Sequence, residues 1–317
     1  MLLLYAGHYP SVRRMCSGKK RRSGLVTAHL AVYIPLADPT LQVLQERRFF
    51  MNLNAPTFSS FAHDGLDLFY FDEGNPSGDP VLLIHGFASS ALVNWVHPGW
   101  LKTLGDAGYR VVGIDNRGHG RSDKPRDPEA YRPWVMAEDA AALLDYLRIP
   151  QAHVMGYSMG ARISVFLALR HPERVRSLVL GGLGSGMTEG VGEWDPIADA
   201  LLAQSLDDVS HERGRMFRAF ADQTKSDREA LAACIRGSRD LVSESDMRRI
   251  EAPALIGVGT KDDIAGSPQK LAALMGNATP LDIPGRDHML AVGDRVFKKA
   301  VLEFYEDLRE EIKKPSN

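Results

Sequence analysis

Hydrophobic and polar positions begin to alternate in a regular way near residue 57. Segments 57–62 and 66–71 carry strand-like patterning and flank His63-Asp64-Gly65, which predicts a hairpin. Segment 81–84 is wholly apolar, as a strand buried on both faces should be, and 110–114 reads the same way. Segment 133–147 places apolar residues at helical spacing behind a proline in its first turn. An apolar run at 152–155 precedes a helical run at 161–170, which His171-Pro172 closes. A strand at 175–180 stops at Gly181-Gly182. A strand at 254–258, a helix at 268–275, a strand at 279–283 and a helix at 294–312 complete the pattern. Strands alternating with helices predict an α/β fold, a mostly parallel sheet with helices on both faces.

One stretch breaks the alternation. Between Gly182 and Ile250 there are helical segments and no strand, over a length too great for a simple crossover loop. This predicts a small helical cap at 183–249 that divides the core into a first part, 51–182, and a second, 250–317. The cap should lie over the C-terminal ends of the strands.

Charge separates residues 1–50 from the rest. They hold eight basic residues and two acidic ones, a net +6, which leaves −8 for the remainder and −2 overall. Without helical or strand periodicity, this segment reads as a poorly ordered extension, with Met51 as the working start. A signal peptide is the weaker alternative, because the basic patch does not begin the chain and the apolar run after it contains His29. The near-neutral balance gives no reason to expect a nucleic-acid partner. No run of 18 apolar residues predicts a membrane span. Cys16 and Cys234 are too few and too far apart for a disulfide framework or a metal cluster, which fits a cytoplasmic protein. Oligomeric state leaves no mark on the sequence.

The candidate chemistry centres on Gly156-Tyr157-Ser158-Met159-Gly160. A strand, G-x-S-x-G and then a helix make a sharp turn that exposes a serine, with glycines where a Cβ would crowd it. The new helix aims its N-terminal amides at the point where an anion would form. A serine hydroxyl needs a base, and the base needs an orienting carboxylate. Three histidines follow Ser158: His171 at a helix end, His211 in the cap, and His288 after the last strand. His288 is the candidate base. The strand at 254–258 is followed by Gly259-Thr260-Lys261-Asp262-Asp263, and Asp262 is favoured as its partner, with Asp263 as the alternative. The strand at 175–180 offers no carboxylate until Glu189. Oxyanion donors are expected from the backbone of Met159 and, in the loop after 81–84, of Phe87. His85 reads as a residue that holds this loop.

The elbow, His85-Gly86-Phe87, Asp115 through Ser122, Gly259-Thr260-Lys261-Asp262 and Asp287-His288 together resemble the α/β-hydrolase fold family. The likeness runs from about residue 57 to 312. It is greatest to bacterial esterases, enol-lactonases and cofactor-free haloperoxidase or perhydrolase-like members. The resemblance implies an eight-stranded sheet with the catalytic residues on loops at one edge. It also implies that Asp115–Ser122 is a structural turn, with Arg117 a paired loop residue. Ala161 departs from the glycine that many relatives carry. Phe87, Trp95, Trp100, Met159, Met187, Trp194 and Met289 are candidate pocket walls and suggest an apolar acyl group. The expectation is a serine hydrolase of a small carboxylic ester or lactone that needs no cofactor or metal. A carbon–carbon bond hydrolase or perhydrolase could use the same residues, and a ligand receptor with slow turnover is the alternative of another class. The serine argues against the dehalogenase and epoxide-hydrolase relatives, whose elbow carries aspartate.

Overall fold

The computed structural model describes residues 55–313. The expectation for residues 1–50 lies outside the described residues. Eight strands form one sheet: β1 Phe58–His63, β2 Leu66–Gly74, β3 Pro80–Ile84, β4 Arg110–Asp115, β5 Ala152–Tyr157, β6 Val175–Gly181, β7 Ala254–Gly259 and β8 Ala278–Ile283. Their order across the sheet is β1-β2-β4-β3-β5-β6-β7-β8. β1 and β2 form the hairpin, turning through Asp64 at φ 53° and Gly65 at φ 73°. β2 is antiparallel to β4, and every later pairing is parallel. This is the mostly parallel sheet that the alternation of strands and helices predicted, with the eight strands that the family resemblance implied.

Strand alternation splits the core into two faces. Leu82, Ile84, Val112, Val154 and Leu178 pack on one face against α2 (Pro133–Tyr146) and α3 (Met159–Arg170). Val81, Leu83, Val111, Met155 and Val179 pack on the other, against α1 (Trp100–Asp106) and the last helix. α1 and the π-helical turn Leu92–Val96 before it fill a connection for which the sequence suggested no element. Trp100 anchors α1: it is fully buried, and its Nε1 donates to the carbonyl of Val292 at 2.6 Å.

Between β6 and β7 there are helices and no strand: α4 Gly186–Glu189, α5 Asp195–Leu202, α6 Glu212–Thr224, α7 Arg228–Gly237 and α8 Glu244–Arg248. α9 (Pro268–Ala272) joins β7 to β8, and α10 (Arg295–Lys313) ends the described chain.

The sheet order positions the site. From β3 the chain moves to β4 on one side and then crosses to β5 on the other. The connections after β3 and β5 therefore diverge and open a crevice at the C-terminal ends of those strands. Ile84 pairs with Gly156, so the loop from His85 and the turn at Ser158 emerge side by side.

Candidate active site

Ser158 sits between β5 and α3 at φ 55°, ψ −115°, a conformation rare for a residue with a side chain. Such strain costs on the order of 1–3 kcal/mol and persists only where its surroundings enforce it. The enforcing contacts are visible. The Ser158 N–H donates to Gly181 O at 2.7 Å. A Cβ on Gly156 would stand 2.2 Å from Gly160 O, and one on Gly160 would stand 2.0 Å from Ile84 O. Both glycines are therefore required by close backbone approach. Ala161 is fully buried in the core at the next position.

Three expected residues come together. His288 Nε2 lies 3.0 Å from Ser158 Oγ, and His288 Nδ1 lies 2.8 Å from Asp262 Oδ2. Asp262 Oδ1 accepts the N–H groups of Ile264 and Ala265, each at 2.9 Å. Burial opposes ionisation of Asp262, but His288 and these two amides outweigh it and hold the carboxyl below its ordinary pKa. An ionised Asp262 accepts from Nδ1–H, which leaves Nε2 free to accept from the serine. Asp263 points elsewhere: its side chain is 85% exposed, and its nearest cation, Arg213, is 4.0 Å away.

The loop bearing His288 is held from behind. The buried Tyr157 hydroxyl donates to His288 O at 2.6 Å. Glycines at 181 and 182 leave space for its ring, because a Cβ there would lie 2.7 and 2.6 Å from it. Within the loop, Asp287 Oδ1 accepts from Met289 N and Leu290 N. Sequence reasoning passed over Tyr157, although a polar-tipped residue next to the elbow serine was a usable signal.

The loop after β3 is equally constrained. His85 is fully buried, and burial lowers its pKa to about 4. Its neutral ring donates from Nδ1 to Gly86 O at 2.8 Å and accepts the Asn116 N–H at Nε2 at 3.0 Å. Gly86 N donates to Asn94 Oδ1 at 2.8 Å. Ala88 follows at φ 57°. Among the described residues neither Phe87 N–H nor Met159 N–H has a protein acceptor. Arg117, in the turn after β4, is buried and pairs with Asp139 through two contacts of 2.7 Å.

Two cavities meet at Ser158. The first, about 570 Å³ including space open to solvent, is walled by Met159, Arg162, Trp194, Phe217 and Ile235. The second, about 610 Å³ on the same measure, is walled by Asn94, Phe220, His288 and Met289. Phe87 and Phe217 border both. Trp194 and Met289 thus lie where a pocket wall was expected. Trp95, Trp100 and Met187 do not: each is 0% exposed and lines neither cavity. Trp95 packs edge-on to Trp100, with centroids 6.4 Å apart, in the core between the sheet and α10. Met187 belongs to the core on the opposite face. Trp95, Trp100 and Met187 lie in helical pieces of seven residues or fewer, too short for periodicity to separate core-facing from cavity-facing positions. Arg162 and Phe217 lie in longer helices, α3 and α6, and were missed because a helix pattern does not say which face borders a cavity, although an arginine inside an apolar helix was a legible signal.

The profile of the alpha/beta hydrolase fold family matches residues 79–215. The chain is 30% identical over 248 residues, 71% of its length and 91% of the relative's, to "Putative non-heme bromoperoxidase BpoC" of Mycobacterium tuberculosis (strain CDC 1551 / Oshkosh). It is 39% identical over 122 residues, 36% of its length and 41% of the relative's, to 2-hydroxymuconate semialdehyde hydrolase of Pseudomonas sp. (strain CF600). A solved hydrolase from Pseudomonas aeruginosa PA01 superposes with a TM-score of 0.68 at 27% identity, covering 80% of this chain and 99% of that one. The chain belongs to the α/β-hydrolase fold family. Among the described residues no helix is long and apolar enough to cross a membrane.

Proposed function

We propose that this protein is a serine hydrolase that cleaves a small carboxylic ester or lactone through an acyl-enzyme at Ser158. One observation carries the reading: Asp262, His288 and Ser158 form a continuous hydrogen-bonded chain of 2.8 and 3.0 Å beside two backbone N–H groups that have no acceptor among the described residues. Ser158 Oγ attacks the carbonyl while His288 Nε2 takes its proton. The tetrahedral oxyanion accepts from the amides of Phe87 and Met159. His288 then returns the proton to the leaving oxygen. In the second half, water replaces the alcohol, His288 removes its proton, and the acid leaves. Asp262 keeps the imidazole oriented throughout and stabilises its charged form.

The leaving oxygen must come within reach of His288 Nε2, and His288 walls only the second of the two cavities. This supports seating the leaving group in the second cavity and the acyl group in the first. The segment between β6 and β7 supplies Trp194, Phe217 and Ile235 to the acyl side, which supports reading 183–249 as a cap that excludes water.

A carbon–carbon bond hydrolase would use the same residues. The 39% identity to 2-hydroxymuconate semialdehyde hydrolase over 122 residues favours keeping that reading second. Cytoplasmic location rests on the two widely spaced cysteines, and cell fractionation tests it. The test of function is a pre-steady-state assay with 4-nitrophenyl acetate. A burst of one equivalent per protein followed by steady turnover is expected. A burst without turnover would mark a receptor. Turnover of a vinylogous 1,5-diketone with no ester cleavage would favour the carbon–carbon reading.

A further inference from the structure

Arg162 is out of place in an apolar cavity wall. It lies in α3, one turn beyond the serine, and its own N–H donates to Ser158 O at 3.3 Å. Residues four apart share a helix face, so its side chain rises from the face that carries Ser158. The residue is 3% exposed and lines the first cavity. Its guanidinium donates only to backbone carbonyls: Nη1 to Met187 O at 3.1 Å and to Asp240 O at 2.9 Å, and Nη2 to Gly186 O at 2.9 Å. Nε and one Nη2 proton remain without a partner among the described residues.

Among the described residues no carboxylate bonds to this guanidinium, and only the charge of Asp240 favours it through space. The nearby acid, Asp240, turns its side chain to Arg132, 2.7 Å away. Burial lowers the pKa of Arg162, but only to about 10, so the group stays a cation at neutral pH. Among the described residues two other ionised side chains reach this cavity, and neither bonds to the guanidinium. Arg213 adds a second cation, held by Val191 O at 2.7 Å, and Glu193 is exposed to solvent. A buried cation is costly unless an anion meets it, and a guanidinium is a planar donor array shaped for a carboxylate.

We propose that the substrate carries a carboxylate at the far end of its acyl portion and that Arg162 receives it. The inference rests on Ser158 as the nucleophile and on the acyl group occupying the first cavity. It revises the expectation of an apolar acyl group to a short dicarboxylic half-ester or a lactone of equivalent charge. The backbone contacts of Arg162 would hold the guanidinium in place before the substrate arrives.

The test compares 4-nitrophenyl hydrogen adipate with 4-nitrophenyl methyl adipate, which differ only in the terminal charge. In the wild-type protein kcat/KM should favour the charged ester by tenfold or more at low salt, chiefly through KM. Arg162→Gln should bring the ratio to about one. Equal or poorer cleavage of the charged ester, or a preference that survives in R162Q, would overturn the proposal. Because R162Q also removes donors from three carbonyls, a wild-type measurement stands beside it. Adipate should slow fluorophosphonate labelling of Ser158 at concentrations where adipamide does not, and equal protection by both would also overturn it. If both esters are cleaved equally and Ser158 is labelled, the nucleophile survives and only the carboxylate proposal falls. If neither ester is cleaved and Ser158 stays unlabelled, the reading beneath it falls as well.

Discussion

Replacing Asp262 by asparagine should disable His288 without moving it. The reason lies on the far side of the carboxylate. Oδ1 accepts two backbone N–H groups at 2.9 Å, from Ile264 and Ala265. In D262N the amide oxygen must stay there, because turning the amide nitrogen toward two N–H donors would break both bonds. The NH2 group then faces His288 Nδ1, which lies 2.8 Å from Oδ2 in the wild type. A donor at that position forces Nδ1 to accept, so the ring proton moves to Nε2. Nε2–H cannot take a proton from Ser158 Oγ, 3.0 Å away. The same tautomer error in a serine protease costs about 10^4-fold in kcat, equivalent to roughly 5 kcal/mol of transition-state stabilisation. We expect a loss of that size, with little change in melting temperature. Asp263→Asn changes a side chain that is 85% exposed and should cost less than about threefold. Steady-state hydrolysis of a short activated ester, measured beside thermal melts, reads both. A tenfold or smaller loss in D262N, or a comparable loss in D263N, would refute the tautomer argument.

Two residues between β6 and β7 that were first considered as pocket walls should now separate. Trp194→Ala widens the first cavity and should shift relative kcat/KM among acyl chain lengths, whereas Met187→Ala opens a hole in the core and should cost about 2–5 kcal/mol, lowering all activities together. A chain-length profile unchanged in W194A, or altered in M187A at full stability, would contradict this. His63 should make a pH-dependent contribution to stability. Its hydrogen bond to Asp139 at 2.8 Å outweighs partial burial and the charge of Arg117, and with Asp64 it raises the pKa above 6.5. A raised histidine stabilises fully below its unfolded pKa and loses that contribution as pH rises through the folded value. The melting advantage of wild type over His63→Gln should therefore be largest near pH 5.5 and shrink by pH 8.5. A gap that widens with pH would be the wrong sign.

The fold was legible where backbone demands leave a mark on residue type. The all-apolar run Val81–Ile84 announces a strand covered on both faces, and Pro133 opens a helix because its missing N–H costs nothing there. The elbow was legible because only glycine can stand 2.0 Å from Ile84 O or 2.2 Å from Gly160 O once a Cβ is counted. The order of Ser158, Asp262 and His288 could be read because each follows a strand, and parallel strands deliver their ends to one edge. What could not be read is direction within loops. Trp95 and Met289 are both apolar residues outside regular helices and strands, yet one is sealed in the core and the other borders a cavity. Helix α1 was missed because seven residues give too few turns for periodicity to show. Arg162 shows the converse. Its charge could be read in α3, but that no carboxylate among the described residues bonds to it depends on where Asp240 lies in the fold, 78 residues away.

Mapping a fluorophosphonate label by mass spectrometry tests the central claim most directly. The reagent reacts only with a serine whose oxygen has been made nucleophilic, and its phosphonyl oxygen needs the same amides as the oxyanion. The account predicts one label per chain, on the peptide containing Ser158, abolished in Ser158→Ala and slowed by Asp262→Asn. A label on any other residue, or an active protein with Ser158 unmodified, would contradict it.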